Sequence, residues 1–400
     1  MAAVPSPTLL DRLVLAPIST VAPLQSGTQF HNTTSLQLAV KQNTLGVGYA
    51  GAGFLLFYYV GVSKVLQQLG VIKPGHTKIA GASAGILSAA VDYGFVSHDE
   101  FIKLGKDFAA RCRANYNCAG TLGDEVVRMA DKVMPADAHI RLSNMSVAYM
   151  ALSTPAGRVG IPEGDYVTKF KSRQDLMDAV HAGVYVPLWS GPDAMTKFRN
   201  ETTYDGAYRS PMPCPTGNTT YCIKMSVLPP WTTAEVLRDA MDPRVWPELL
   251  QVLNVTTKAN PVRFFLEGIR NRVMQPDQHF GKLAAAGYTY VTLQARLHQL
   301  AGGVDIWPGK WAKNKFSIVR WMLMVLTPPT PDVIDEIVQM GIDDGHAWAR
   351  DMGLEPPFAK AAPAKKMAAK SAASTPAASP VAARKPAAAG PAPAPRRMLI

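Results

Sequence analysis

Acidic residues are missing from much of the first part of this chain, and none occurs between Arg12 and Val91. Charged residues of either sign make up only 18% of the 400 residues, whereas apolar residues make up 48%. This balance excludes a highly charged disordered chain and favours a globular protein with one large domain or two ordinary ones. An acid-free start rich in Ser, Thr and Gln is a trait of organelle transit peptides, but arginines are few here, so targeting stays open.

Acidic residues are also absent from residues 356–400, which contain eight Lys or Arg residues. These eight account for most of the net charge of +11 and leave +3 for the rest of the chain. The charge therefore gives no reason to expect a fold that binds nucleic acid. Because this tail consists mainly of Ala, Pro and Lys, it buries too little apolar surface to offset the entropy of ordering, and we expect it to be disordered.

Cysteine is scarce as well. The four cysteines form two local pairs, Cys112 with Cys118 and Cys214 with Cys222, which match neither a zinc knuckle nor a Cys-x-x-Cys redox motif, so we expect no metal site. The even number permits disulfides in an exported protein, although the N-terminus lacks the features of a secretory signal. Five Asn-x-Ser/Thr triplets are typical of glycosylation acceptors. They begin at Asn32, Asn144, Asn200, Asn218 and Asn254.

A Gly-x-Ser-x-Gly sequence, Gly81-Ala82-Ser83-Ala84-Gly85, joins a short apolar run to an alanine-rich apolar segment. This arrangement is typical of a nucleophile elbow, a sharp strand-to-helix turn that lifts the serine hydroxyl clear of the sheet. The glycines permit backbone angles and close approaches that a side chain would block. Ser83 is therefore the candidate nucleophile, at a helix N-terminus where developing negative charge is favoured. The alternative is an ordinary Gly/Ser turn.

Residues 45–62 carry no charge and allow three interpretations. Their length meets the criterion for a membrane span, but glycines cluster in the first half. The sequence Gly46-Val47-Gly48-Tyr49-Ala50-Gly51 satisfies the dinucleotide fingerprint G-x-G-x-x-G, yet the first acid after it is Asp92, too distant for the ribose contact. The third interpretation is a buried strand at 45–50, a loop at 51–53 whose free N–H groups suit an oxyanion, and a helix at 54–69.

Strand and helix patterns alternate along residues 45–227, which predicts an α/β sheet covered on both faces by helices. Capping boxes at Ser97 and Ser172 predict helices that run to about residues 112 and 181. The pattern also predicts a helix at 124–133 and strands at 147–152 and 165–168.

Composition divides the chain into four stretches. Residues 1–44 show no steady period and contain several prolines, so they are expected to be an N-terminal extension or targeting segment, with the fold beginning near Leu45. The α/β pattern fills residues 45–230, a helical C-terminal extension follows at 231–355, and the tail begins at 356. Within the extension, the apolar run 316–326 is too short to span a bilayer, and core burial competes with contact at a lipid surface. Helices are expected at 261–273, 280–286 and 330–352.

Several motifs follow one another in a fixed order along the chain. They are Ala50-Gly51-Ala52-Gly53-Phe54-Leu55, Tyr58-Tyr59-Val60-Gly61-Val62, Gly81-Ala82-Ser83-Ala84-Gly85, Val186-Pro187-Leu188-Trp189-Ser190-Gly191 and Tyr204-Asp205-Gly206-Ala207. With these motifs the chain resembles the patatin-like phospholipases, particularly the branch that includes adipose triglyceride lipase. The resemblance spans about residues 45–228 and also takes in Pro135-Ala136-Asp137-Ala138-His139.

This resemblance implies a three-layer α/β/α fold with a central, mostly parallel sheet and a serine–aspartate dyad in place of a triad. Ser83 would be the nucleophile, and Asp205 would be the base that contacts it directly. In isolation, Asp205 beside Gly206 is equally typical of a structural β-turn. An aspartate is a weak base at neutral pH, so the dyad needs close positioning and partial desolvation. The implied oxyanion donors are the amides of Gly51, Ala52, Gly53 and Phe54.

Two departures from the family pattern affect the expected substrate. Leu56 stands where relatives often have glycine, and the patatin-type loop arginine is absent. The implied function is hydrolysis of a fatty-acyl ester at a membrane or lipid-droplet surface, without metal or organic cofactor. Triacylglycerol is the first candidate substrate and phospholipid or galactolipid the second. Acyl transfer to an alcohol would use the same residues.

Two alternatives to this chemistry stay open. An ordinary Ser-His-Asp triad would draw on a later histidine, His279, His298 or His346, none of which has a local motif. A catalytically silent protein could keep the fold and dock on an anionic lipid surface through its apolar stretch and basic tail.

Overall fold

The computed structural model describes residues 33–155, 163–187, 189–231 and 303–355, together with a few residues between 235 and 244. A seven-stranded sheet forms the centre of this part of the chain. Its strands are β1 (Leu45–Tyr49), β2 (Lys78–Gly81), β3 (Ala148–Ser153), β4 (Tyr166–Val167), β5 (Thr196–Phe198), β6 (Glu201–Asp205) and β7 (Tyr221–Met225).

The strand order is β5-β6-β3-β2-β1-β7, and β4 pairs with β3 outside this path. Strands β7, β1, β2 and β3 run parallel, whereas β4, β6 and β5 join in antiparallel pairs. All five residues of β1 are buried, as expected for a central parallel strand covered on both faces. The mostly parallel central sheet predicted from the sequence is confirmed.

Helices flank this sheet, and the predicted three-layer α/β/α arrangement is confirmed as well. Two of these helices begin as their capping residues predict: the Ser97 hydroxyl accepts a hydrogen bond from the Glu100 amide, and the Ser172 hydroxyl accepts one from the Asp175 amide. Among the described residues the helices are α1 (Thr33–Gln42), α2 (Phe57–Gln68), α3 (Gly85–Asp92), α4 (His98–Ala114), α5 (Leu122–Val133), α6 (Ala138–Met145), α7 (Arg173–Gly183), α8 (Ile318–Leu323) and α9 (Pro331–Asp351).

The glycines of β1 allow close packing against the strand. Gly46 and Gly48 lie inside the strand, where a later loop crosses them. A Cβ atom on Gly48 would lie 1.9 Å from the Pro213 carbonyl oxygen, and one on Gly46 would lie 2.7 Å from Thr219 Cγ2. The strand–loop–helix interpretation of residues 45–62 is therefore the correct one. Within the described part of the chain, no helix has the length and apolar character that crossing a membrane requires.

The sequence pattern does not reveal two of the helices. Helix α1 lies inside the expected N-terminal extension, and its Leu36 and Ala39 side chains are fully buried. The fold therefore begins before Leu45, which corrects the expected start. Helix α6 also has only two buried residues, Ala138 and Leu142. Such short apolar stripes give little periodicity, because tertiary packing supplies most of the stability of a short helix.

Helix α9, close to the helix predicted at 330–352, packs tightly along α2. A Cβ atom on Gly61 would lie 2.1 Å from the Val338 carbonyl oxygen, and one on Gly341 would lie 2.1 Å from the Tyr58 carbonyl oxygen. The Tyr58 hydroxyl also donates to Asp344 Oδ2 at 2.7 Å. The described residues of the C-terminal extension thus belong to the same compact unit as the sheet. The helices expected at 261–273 and 280–286 and the tail at 356–400 lie outside the described residues.

We expect Gly61→Ala to destabilise the fold by about 1–3 kcal/mol, because the added methyl group would meet the Val338 carbonyl and force the two helices apart. Thermal and urea unfolding of the purified variant measure the loss. Gly345→Ala is the matched control on α9, since a Cβ atom there meets Val65 at 3.2 Å and nothing closer. Equal stability of Gly61→Ala and the wild type would contradict the tight helix contact.

Candidate active site

Ser83 occupies the sharp turn between β2 and α3, and its backbone lies in the left-handed region with a φ of 54°. Residues other than glycine rarely adopt this conformation, which is concentrated at functional sites. The flanking glycines allow the turn to close: a Cβ atom on Gly81 would lie 2.7 Å from the Ile86 nitrogen, and one on Gly85 would lie 2.6 Å from the Tyr49 carbonyl oxygen. The segment therefore has the strand–turn–helix geometry of a nucleophile elbow.

Asp205 ends strand β6 and begins a 3₁₀ turn, Gly206–Tyr208. Its Oδ1 accepts a hydrogen bond from the Ala207 amide at 2.9 Å, and its own amide donates to the Tyr185 carbonyl at 2.9 Å. A Cβ atom on Gly206 would lie 2.1 Å from the Ala151 carbonyl oxygen in β3, so the position next to the carboxylate requires glycine. The Asp-Gly-Ala motif thus fixes the carboxyl group against the sheet.

The Asp205 and Ser83 side chains are both buried inside the protein. Asp205 is 1% exposed and Ser83 is 7% exposed. Burial raises the pKa of the Asp205 carboxyl to about 6, and hydrogen bonding from the Ser83 hydroxyl and the Ala207 amide opposes this rise. Oδ2 is buried and makes no hydrogen bond of normal geometry with any group in the described part of the chain.

The loop at residues 51–54, before α2, is the glycine loop and carries the expected oxyanion donors. The amides of Gly51, Ala52 and Gly53 donate to no acceptor among the residues that the structure describes. The Phe54 amide differs, because it donates to the Val325 carbonyl at 3.0 Å. This contact corrects the expectation that all four amides are open: a segment far along the chain covers the fourth.

Sequence reasoning also missed the amide of Ala84, the residue directly after the candidate nucleophile. Like the three loop amides, it has no acceptor among the described residues, and Ala84 lines the same cavity as Ser83. In hydrolases with a nucleophile elbow, the amide after the serine is one of the oxyanion donors. The Gly-x-Ser-x-Gly motif itself is the signal that could have identified it.

An apolar cavity of about 330 Å³ opens beside these groups. Ser83 and the glycine loop form part of its wall, and so does Leu56, one of the departures from the family pattern. The Phe54 and Phe108 rings stack along it with centroids 5.2 Å apart. A cavity of this size can enclose a small organic ligand, and its apolar wall suits a hydrocarbon chain.

The C-terminal segment closes part of this cavity, which the sequence did not indicate. Met322, Val325 and Leu326 line it, whereas Trp321 points into the core and donates from Nε1 to the Val227 carbonyl at 2.7 Å. The apolar run 316–326 therefore divides between core and cavity. The one signal in the sequence was the strongly apolar character of the run, which does not specify the surface that it covers.

The other candidates lie away from this cavity or outside the described residues. His346 Nδ1 lies 2.7 Å from the Glu355 carboxylate, and no histidine of the described part lines the cavity. His279 and His298 fall outside the residues that the structure describes. Within the described ranges, no three His, Cys, Asp or Glu side chains are grouped so that they could hold a metal ion.

Comparison with known proteins identifies relatives of this chain. Human patatin-like phospholipase domain-containing protein 2 is 29% identical over 156 residues, which cover 38% of this chain and 30% of that protein. Human patatin-like phospholipase domain-containing protein 4 is 27% identical over 182 residues, or 44% of this chain and 69% of that protein. This chain is a relative of the patatin-like phospholipases.

A third relative of this chain has a different activity in its name. Human omega-hydroxyceramide transacylase is 25% identical over 174 residues, which cover 42% of this chain and 31% of that protein. The similarity thus spans about a third of the length of this transacylase and of human patatin-like phospholipase domain-containing protein 2. No family model matches the chain.

We expect Asp205→Asn to stabilise the protein at pH 8. The folded-state pKa of about 6 lies above the ordinary value of 3.8, so the wild type loses stability as the pH rises through this interval and the buried carboxyl ionises. At about 1.4 kcal/mol for each pH unit, the loss is roughly 3 kcal/mol, and it is absent in the Asn variant. Urea unfolding at pH 4 and pH 8 measures the difference.

Asp99→Asn is the control for this experiment. Its carboxyl is exposed, and the hydrogen bond from Lys64 lowers its pKa, so its removal should give no gain at pH 8. The stability difference between Asp205→Asn and the wild type should grow from pH 4 to pH 8. A difference that stays constant across this range would contradict the raised pKa of Asp205.

Proposed function

We propose that this chain is a serine lipid acyl hydrolase that cleaves fatty-acyl esters through an acyl-Ser83 intermediate. The proposal is supported by a strained serine, a buried carboxyl of raised pKa and an apolar cavity, together with amides that donate to no acceptor among the described residues. The names of the relatives include a phospholipase domain and a transacylase, which supports lipid acyl hydrolase or acyltransferase activity at the level of the family.

In the first step, Ser83 Oγ attacks the carbonyl carbon of the ester while the Asp205 carboxylate takes the hydroxyl proton. The carbonyl oxygen becomes an oxyanion, which the amides of the glycine loop and of Ala84 stabilise. When the tetrahedral intermediate collapses, the bond from the carbonyl carbon to the alkoxy oxygen breaks. The proton passes from Asp205 to the departing alcohol, and the acyl group remains on Ser83.

In the second step, water repeats the attack on the acyl-serine ester. Asp205 takes a proton from the water, the carbon–Oγ bond breaks, and Ser83 recovers its proton as the free acid leaves. An alcohol in place of water would complete an acyl transfer by the same steps. Because both reactions use the same groups, access to the acyl-enzyme decides between them.

The proposed substrate is a triacylglycerol or a polar glycerolipid, such as a phospholipid or galactolipid. An apolar cavity next to Ser83 suits the acyl chain, and the remainder of the lipid would stay outside it. Such substrates reside in membranes and lipid droplets, so the protein would work as a peripheral protein at one of these surfaces.

A second candidate function is lipid binding without catalysis. The hydrogen bond from the Phe54 amide to the Val325 carbonyl favours this binding function, because it occupies one of the expected oxyanion donors. Ser83 is also only 7% exposed, so the described arrangement gives a bulky lipid little access to it. Under this alternative the cavity would hold an acyl chain without cleaving the ester.

Labelling with a fluorophosphonate probe distinguishes the two functions. We expect the wild type to be labelled and Ser83→Ala to be unlabelled and inactive toward triacylglycerol, phospholipid and galactolipid substrates. Asp205→Ala should lose about 10²- to 10⁴-fold in kcat, the usual contribution of a general base. Because the base must be unprotonated, wild-type kcat/KM should fall as the pH drops below about 6.

The controls for the labelling experiment separate the proposed dyad from a triad. His346→Ala should retain most of the activity, because its imidazole pairs with Glu355 and does not line the cavity. Folded wild-type protein that binds lipid vesicles but takes up no probe would favour the silent binder. Loss of activity in His346→Ala with retention in Asp205→Ala would show that the base is wrongly assigned.

Filling the cavity should shift the preference toward short acyl chains. Val126 lines the cavity from α5, and Val126→Trp would exclude two or three methylene groups of a long chain. At about 0.8 kcal/mol for each methylene group, kcat/KM for long-chain esters should fall roughly ten- to sixty-fold, while short-chain esters are spared. Lys132→Trp, on the exposed face of α5, is the control. An equal loss for all chain lengths would contradict acyl binding there.

A further inference from the structure

Two disulfide bonds join all four cysteines of the chain, Cys112 with Cys118 and Cys214 with Cys222. No cysteine remains free. Disulfides form and persist in oxidising environments, whereas cytosolic thiols are kept reduced. The pairing of every cysteine therefore points to folding in an oxidising compartment.

Glycosylation acceptor triplets are more frequent in this chain than its composition predicts. Five of the eleven asparagines begin an Asn-x-Ser/Thr triplet with no proline between. Ser and Thr together make up about a tenth of the residues, so roughly one triplet would be expected by composition alone. The excess of triplets is an observation separate from the cysteine pairing. Both features are typical of proteins that fold in the same oxidising compartment.

Three of these asparagines lie among the described residues, and all three are exposed. Asn144 is in the last turn of α6, Asn200 is in the turn between β5 and β6 with a φ of 69°, and Asn218 is in the loop before β7. None of them lines the apolar cavity. A bulky, hydrophilic glycan could therefore leave the surface at each position without being buried and without blocking the proposed site.

The third position is coupled to a disulfide. The disulfide between Cys214 and Cys222 closes a short loop that contains Asn218. Thr220 of the same triplet forms a hydrogen bond with Thr44, with 2.6 Å between the two hydroxyl oxygens. The disulfide and this hydrogen bond anchor both sides of the loop and leave Asn218 at the surface. The acceptor and the cysteine pair thus belong to one local structure.

We propose that Asn144, Asn200 and Asn218 are N-glycosylation sites and that the protein folds in a glycosylating, disulfide-forming compartment of the secretory route. The sugar donor would be an oligosaccharide linked to a lipid pyrophosphate. The asparagine amide nitrogen attacks the anomeric carbon, the bond from that carbon to the pyrophosphate oxygen breaks, and the released pyrophosphate takes the amide proton. This assignment is independent of the proposed acyl chemistry.

The test uses the full chain, epitope-tagged and isolated from its own cells. Peptide N-glycosidase treatment in heavy-oxygen water converts each glycosylated asparagine to a labelled aspartate, which peptide mass spectrometry locates. We expect label at Asn144, Asn200 and Asn218, and no alkylation of any cysteine until a reductant is added. Unlabelled asparagine at all three positions would overturn the assignment, whether or not the cysteines are oxidised. Missing label at one position would overturn that site.

Paired variants at one triplet separate glycosylation from a folding effect. Thr202 is exposed on β6, so both Thr202→Ala and Thr202→Ser should fold, which thermal unfolding checks. Thr202→Ala should lose the label at Asn200 and keep it at Asn144 and Asn218. Thr202→Ser preserves the triplet and should retain all three labels. Persistence of the Asn200 label in Thr202→Ala would show that the label does not report N-glycosylation.

Discussion

The candidate site depends on the backbone contacts of one atom, the carbonyl oxygen of Tyr49. This oxygen accepts a hydrogen bond from the Ala82 amide at 3.0 Å. A Cβ atom on Gly85 would lie only 2.6 Å from the same oxygen, so residue 85 must be glycine. This backbone contact joins the end of β1 to the turn after β2 and holds Ser83 in a conformation that an isolated chain would avoid. The glycine loop and the serine therefore leave the same edge of the sheet from neighbouring parallel strands.

The carboxyl group reaches this edge by a different connection. Strand β6 runs antiparallel to β3, and the register that pairs Asp205 with Leu152 sets the height of the carboxyl above the sheet. A shift of one residue would turn the side chain to the other face of the sheet. The close contact of Gly206 with Ala151 opposes such a shift. Burial then raises the proton affinity of the carboxyl at a cost in stability, a compromise typical of catalytic groups.

Residues near the C-terminal end of the described chain complete the cavity. Facing glycines let helix α9 pack closely against α2, and the segment before α9 brings Val325 to the glycine loop. Loop, serine and cavity wall are thus parts of one packed structure. Because the Val325 carbonyl accepts a hydrogen bond from the Phe54 amide, any movement of this segment would change two things. They are the shape of the cavity and the number of loop amides that have no acceptor among the described residues.

The sequence by itself determined the local conformations. Ser97 and Ser172 predicted helix starts because a cap depends on residues three positions apart, and the glycines around Ser83 predicted a tight turn for equally local steric reasons. Only the tertiary structure decided three features of the site. They are the raised pKa of Asp205, the hydrogen bond of the Phe54 amide and the cavity that Met322 helps to form. Each depends on which distant segments exclude water from a group, and adjacent residues do not encode that burial.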